Sequence, residues 1–282
     1  MRLILSALLL LGLASCEREL FYTYSDYQPK LVVNGLINNQ DNIGLSVSTA
    51  VPFGSSNNPE YLSNAKVSFF IDGVRQPDLP YDALSSRYLY GFPAMPGREY
   101  RVVVSAPGYP SVEGTAKLPT AGSFGRSTFQ DSVATDSFGF PEGTITVRIN
   151  DNSAEKNWYR IKILYYNTTQ AMFDLLPVES EDPLVNQLAS QSDGSYVFND
   201  ATFNGRNREI RFRTPFGYAQ GTPRFLIEME NLSEDFYLYS TSLNRYENAG
   251  AALFREPVFV YSNIRDGLGI FAGASLFRDT IR

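Results

Sequence analysis

Histidine is absent from all 282 residues. That absence removes Ser-His-Asp and Cys-His catalysis, imidazole-ligated zinc, copper or non-haem iron, and the side chain that shuttles protons nearest neutral pH. Cysteine occurs once, at Cys16, so no internal disulfide can form and packing alone must hold the fold. Positive charge is also scarce: 24 Lys and Arg stand against 30 Asp and Glu, a formal net charge of −6, and the basic residues form no block. A nucleic-acid partner is therefore not expected. After residue 15 no apolar run approaches the roughly 18 residues that a membrane-spanning helix needs. A phosphate-cradling loop and a metal-ligand motif are missing too. A glycosidase-type carboxylate pair needs no histidine, but 30 acidic residues single out no pair. The expectation is a chain that is not an enzyme and that holds no metal or cofactor.

What is present begins with MRLILSALLLLGLASCEREL. Arg2 supplies a short positive lead, and Leu3 to Leu13 is apolar apart from Ser6 and Gly12. Ala14 and Ser15 are small residues ahead of the cysteine. The run is too short for a permanent span and reads as a secretory signal. Leu13-Ala14-Ser15-Cys16 resembles the bacterial lipobox, in which a thiol is needed because its sulfur is alkylated. The resemblance implies a signal peptide over 1–15, lipid on Cys16 and a tether over 16–28. Attachment to the membrane is then through lipid alone. Glu17 and Glu19, with Arg18 between them, resemble the surface-export signal of Bacteroidota lipoproteins, which implies an outer-membrane protein facing the cell surface.

From residue 29 to about 120 the pattern is strand and turn. LVVNGLIN and IGLSVSTA are β-rich runs separated by NNQDN. In AKVSFFIDG, Val67, Phe69 and Ile71 alternate with Lys66, Ser68 and Asp72, and Asp72-Gly73 makes a turn. Tyr100, Val102 and Val104 alternate likewise in the strand that ends at SAPGY. Ala65, Val67, Phe69, Asp72 and Gly73, followed by Ala106 to Tyr109, resemble transthyretin-like modules, which implies an Ig/transthyretin-like β-sandwich over 29–120. The loop 51–64 is long for a compact domain, hence functional or mobile.

AKLPTAGSFGRS (116–127) reads as a linker. Beyond it, TITVRIND, NWYRIKILYY, EIRFRTP and RFLIEME alternate as strands, so 121–282 is expected to be a larger, second β-sandwich-like domain. One helix is predicted near 233–247, with Ser233 as N-cap, Glu234 and Asp235 in its first turn, and Phe236, Tyr239, Leu243 and Tyr246 at helical spacing.

Three stretches compete as sites. The chain holds 18 Tyr and 20 Phe, and Trp158-Tyr159 or Tyr165-Tyr166 could stack on sugars, although tyrosine is also an ordinary strand residue. NDNSAEKN (150–157) gathers Asp151, Asn152 and Glu155, oxygen ligands of the kind calcium takes, without EF-hand spacing. The segment 168–195 is long and lacks strand periodicity around Met172, Phe173, Leu175 and Leu176. It is either a partner-binding loop, with Phe173, Leu175 and Leu176 as apolar anchors, or a short helix covering a sheet edge.

NLSEDFYLYSTSLNRY, then FREPVFVYSNIRDGLGIFAGAS, together with FNDATFNGRNREI (198–210), resembles a lipoprotein family of Bacteroidota known as domain of unknown function 4249. Phe236, Asp266 and Ala272 stand where that family tends to carry Tyr, Asn and Gly. The resemblance covers nearly all of the chain after the signal. Such proteins are often encoded beside TonB-dependent outer-membrane receptors, which implies a non-catalytic accessory or substrate-capturing partner of a TonB-dependent transporter. The alternatives are a free-standing surface module that binds glycan or peptide, and a structural or adhesive surface lipoprotein. Within the motif, Asn263, Gly267 and Gly269 suit a turn between strands, where positive φ is needed.

Overall fold

The computed structural model describes residues 28–52, 57–120, 123–180, 182–186, 193–214, 224–249 and 258–281. The signal peptide, Cys16 and nearly all of the tether lie outside the described residues. The first half contains β1 (Leu31–Asn38), β2 (Asn42–Thr49), β3 (Lys66–Ile71), β4 (Val74–Arg75), β5 (Tyr81–Asp82), β6 (Arg87–Pro93), β7 (Glu99–Ser105) and β8 (Val112–Lys117). The second contains β9 (Ser123–Thr135), β10 (Pro141–Asn150), β11 (Trp158–Asn167), β12 (Met172–Leu175), helix α1 (Pro183–Asn186), β13 (Tyr196–Asn199), β14 (Asn207–Thr214) and β15 (Phe225–Leu232). Helix α2 (Glu234–Asn248) and β16 (Leu268–Ile281) complete the order. The chain is mainly β.

A nine-stranded sheet runs through both halves in the order β12-β11-β15-β16-β1-β2-β6-β5, with β13 also on β11. A four-stranded sheet (β4-β3-β7-β8) accompanies the first half and a three-stranded sheet (β14-β10-β9) the second. The alternating residues predicted to face inward do so. Val67, Phe69, Tyr100, Val102 and Val104 are buried with Leu31, Val33 and Val47 in one core. Ile145, Val147 and Ile149 meet Tyr159, Ile161, Ile163, Ile210 and Phe212 in another. Two sandwiches result, each closed by its own small sheet.

The C-terminal strand does not respect the expected boundary at 120–121. β16 pairs in parallel with β1 from Val32↔Leu268 to Asn38↔Ala274, then antiparallel with β15 from Leu232↔Ala274 to Phe225↔Ile281. Ile264 and Phe271 belong to the first core although they come near the end of the chain. A strand shared this way leaves half of each edge without a neighbouring strand, and short polar side chains fill the gaps. Asn263 accepts from the Phe271 N–H at 2.9 Å and donates to its carbonyl at 2.8 Å. On the same edge the backbone of Ser233 donates to the Gly273 carbonyl at 2.8 Å, and the Ser233 hydroxyl accepts from the Gly273 N–H. On the opposite edge, beyond β1, the Asn39 amide accepts from the Leu276 N–H at 2.7 Å and donates to its carbonyl. Each amide side chain acts as one residue of a missing strand, so buried backbone groups stay satisfied.

The predicted helix is present one residue on, capped by Ser233, whose hydroxyl accepts from the Phe236 N–H. Phe236 packs with Ile270, Ala272 and Ala274 of β16. These alternate with Phe271 and Gly273, which face the first core, so β16 is buried on both faces. Tyr261 ties its own segment to the helix, its hydroxyl donating to Asp235 at 2.5 Å and its backbone N–H donating to the Ser242 hydroxyl at 2.8 Å.

These contacts set a pH limit. Tyr88, Tyr100, Tyr159, Tyr196, Tyr239 and Tyr261 are all held above the ordinary phenol value, first of all by burial. Tyr261 is pushed up to about 12, by burial and then by Asp235. A raised folded value means that the native state holds the proton more tightly, so the stability is complete below pH 10 and is lost as pH rises through the folded values. Unfolding free energy should therefore fall steadily above pH 10, with tyrosinate absorbance rising late and together with loss of β structure. Reversible ionisation of every tyrosine near pH 10 in the folded state would contradict this.

Candidate functional site

The second sandwich ends in an open cleft of about 690 Å³. One wall is the turn between β9 and β10. Asp136 accepts from the N–H groups of Phe138 and Phe140 at 2.8 and 2.9 Å, and Gly139 takes φ 84°. The tight turn forces two rings outward: Phe138 is 85% exposed and Phe140 61%. The other wall runs from Leu175 to Glu179, backed by Gly194, Tyr196 and Arg213. That segment bridges the two sheets. The Leu176 N–H donates to the Ile163 carbonyl of β11, and Glu179 exchanges backbone hydrogen bonds with Arg213 of β14.

Of the three predicted anchors, Leu175 lines the cleft, half-exposed beside Gly194. Leu176 lies at its floor but is only 3% exposed and belongs to the second core, so it holds the fold together and is not an anchor for a partner. Phe173 does not reach the cleft; it packs edge-on against Tyr166, 5.3 Å between centroids. Strand β12 explains the difference. Residues 172–175 pair antiparallel with β11, so the segment is an edge strand where no strand periodicity was legible. The edge-covering alternative has its counterpart in α1, whose Val185 is fully buried in the second core.

Sequence reasoning missed Glu142 and Arg213. The register shift at this point bulges β9, between Gln130 and Ala134, while β10 keeps its alternation, so Arg213, which pairs with Thr144, shares a face with Glu142. The Glu142 side chain is only 10% exposed. Its Oε2 accepts no hydrogen bond, and Arg213 Nη1 stands 3.8 Å away. Arg213 also lies 3.7 Å from the exposed carboxylate of Glu179. No spacing rule could have found this pair, because a glutamate ahead of an alternating strand reads as an ordinary solvated end.

The other candidates resolve into structural roles. Asp151 accepts from the Tyr159 hydroxyl and from the Gly205 N–H at 2.6 Å, while Asn152 accepts from the Ala154 N–H. The side-chain oxygens of Asp151 and Asn152 are thus engaged in shaping the loop 150–157, and no group of three or more His, Cys, Asp or Glu placed to hold a metal ion occurs among the described residues. Asp200 and Phe203 of the 198–210 motif lock that loop from the other side: Asp200 accepts from the Asn157 N–H at 2.8 Å and Phe203 stacks on Tyr159. Trp158 borders a smaller hollow of about 370 Å³ between the two halves, beside Tyr237. Its buried Asn157 and Asn231 are bonded to each other and to backbone carbonyls. Tyr166 stacks under Arg224. Of loop 51–64, residues 53–56 lie outside the described residues, and the return is tied to β2 by Leu62 and Thr49.

The C-terminal motif is structural in a different way from that expected. Positive φ falls on Asp266 and Gly269, not on Gly267. Gly267 is needed for close approach, since a Cβ there would meet Val112 and the Leu31 carbonyl at 2.8 and 2.9 Å. Gly269 lies inside β16 and not in a turn.

A family model described as domain of unknown function (DUF4249) matches residues 17–279. No curated protein matches the chain in sequence. Among solved structures, a glycosyl hydrolase family 2 member from Bacteroides cellulosilyticus is 14% identical with a TM-score of 0.20, over 67% of this chain and 21% of that one. A family 2 member from strain DSM 14838 is also 14% identical, at 0.21, over 74% and 28%. A Corynebacterium diphtheriae protein described as membrane anchored is 8% identical, at 0.22, over 72% and 54%. The chain thus spans about half or less of each of these structures, and likeness at this level says nothing of substrate or activity.

Proposed function

The chain belongs to the DUF4249 family, and from that premise we propose that it is a lipid-anchored outer-membrane protein serving a TonB-dependent transporter as a non-catalytic accessory or substrate-capturing partner. The observation that carries the reading is the open cleft with its exposed apolar rim, Phe138 and Leu175, on a two-sandwich frame. Exposed aromatic and aliphatic side chains around a partly buried polar centre are what recognition surfaces use. The absence of histidine supports a binding role over general acid-base chemistry near neutral pH. Attachment through Cys16 supports partnership with a membrane barrel, because confinement raises effective concentration and lets a modest interface persist. The acidic residues flanking Arg18 support a surface-facing orientation.

The test is affinity purification from detergent-solubilised outer membranes. Tagged wild type should bring down a TonB-dependent receptor. The double variant Phe138→Ser, Leu175→Ser should bring down at least about tenfold less while melting as wild type does, because both side chains sit at the rim. Leu176 is left intact, since its loss would damage the core. Cys16→Ala should leave the protein soluble or unprocessed. Wild type that comes down alone after mild crosslinking would overturn the partnership and favour a free-standing binding module.

A further inference from the structure

The same cleft indicates what it captures. Among the described residues three carboxylates line it, those of Asp136, Glu142 and Glu179, against one cation, Arg213. Surface acids alone would say little, but Glu142 is different. Its side chain is nine-tenths buried, and the Oε2 atom accepts no hydrogen bond from any described group. A carboxylate withdrawn from water without a donor is costly, and Arg213 at 3.8 Å offers charge without a hydrogen bond. A donor entering from the cleft would complete the site. Around it the lining is apolar: Leu175, Leu176, Val178 and the ring of Phe138. An anion would meet net negative charge. A bare metal ion would meet only one buried carboxylate.

We infer that the cleft takes a polypeptide segment presenting a basic side chain between apolar neighbours, with the cation donating to Glu142 and the flanking residues lying against Leu175, Val178 and Phe138. A volume of about 690 Å³ suits a few residues of such a segment. Charge-assisted hydrogen bonding to a nearly buried carboxylate supplies the selectivity, and the open rim admits the backbone. This rests on reading the cleft as a capture site, but it does not depend on which membrane protein stands beside it.

The test is equilibrium dialysis of the full chain in detergent micelles against pooled pentapeptides Gly-X-Arg-X-Gly, with X being Leu, Val or Phe, read by mass spectrometry. A pool with Gln in place of Arg is the control. The Arg pool should be retained about tenfold more than the Gln pool, and Glu142→Gln should remove that preference. Should Glu142→Gln fail to fold, Glu179→Lys serves, because that side chain is 81% exposed; it should weaken the Arg pool about fivefold. Equal retention of both pools by wild type, or an unchanged preference in a folded variant, overturns the inference. So does retention of maltohexaose or cellohexaose with the Arg pool ignored, which would mark glycan capture. If the receptor still co-purifies while the Arg pool is ignored, only the ligand class has failed; if neither binds, both readings have.

Discussion

Gly269→Ala is expected to cost upward of about 4 kcal/mol, the range reserved for changes that break a named structural feature. Gly269 adopts φ 105° inside β16, where the strand pairs with β1. A Cβ built there would lie 2.2 Å from the Val33 carbonyl oxygen and 2.9 Å from Asn34 Oδ1. The obstacle is backbone, not the far end of a mobile side chain, so relief requires β1 and β16 to separate. That pairing joins the first sandwich to the last strand of the second. With total stability on the order of 5–15 kcal/mol, the loss should make the fold marginal and spoil both halves together. Gly91→Ala is the control, because nothing lies within 4 Å of a Cβ there and its φ is not positive. Denaturant midpoints decide the matter: equal midpoints for the two variants would refute the account.

Asn263→Ala is expected to cost about 3 kcal/mol, from stranding buried backbone groups at roughly 1–3 kcal/mol each. The Asn263 amide holds the Phe271 N–H and carbonyl and also donates to the Thr115 carbonyl at 3.0 Å. It therefore fastens one edge of β16 to β8 of the facing sheet. Phe271 is fully buried, in space that Gly35 and Gly114 leave open, so freeing its backbone loosens the first core directly. Asn263→Asp keeps the acceptor and loses both donor bonds, and it should fall between wild type and alanine. Hydrogen exchange at the Phe271 amide is the local readout. Protection unchanged in Asn263→Ala would show that another group satisfies that edge.

The family motifs thus hold the frame, and the candidate site lies elsewhere. Ser233, Asn263 and Gly269 complete a strand shared by two sandwiches, while Asp200, Phe203 and Gly205 brace the loop after β10. The cleft draws on residues outside those motifs, namely Glu142, Leu175, Phe138 and Arg213.

What short-range physics controls is legible along the chain. Alternation at Val67-Phe69 and Ile145-Val147-Ile149 specified strands and their buried faces, because side chains on a strand point to opposite sides. Ser233 with Glu234 and Asp235 specified where the helix begins, because capping and the macrodipole act within one turn. The missing histidine and the single cysteine excluded whole classes of chemistry without any fold at all. The rest depends on contacts between distant parts of the chain. β16 pairs with β1, more than 230 residues earlier, and no local pattern encodes which distant strand will supply an edge. The burial of Glu142 beside Arg213 and the bridge of Glu179 to Arg213 arise from sheets meeting in space. The same contacts buried Leu176, left Leu175 at the rim and placed Phe173 on Tyr166, because burial is a property of what arrives opposite a side chain and not of the side chain alone.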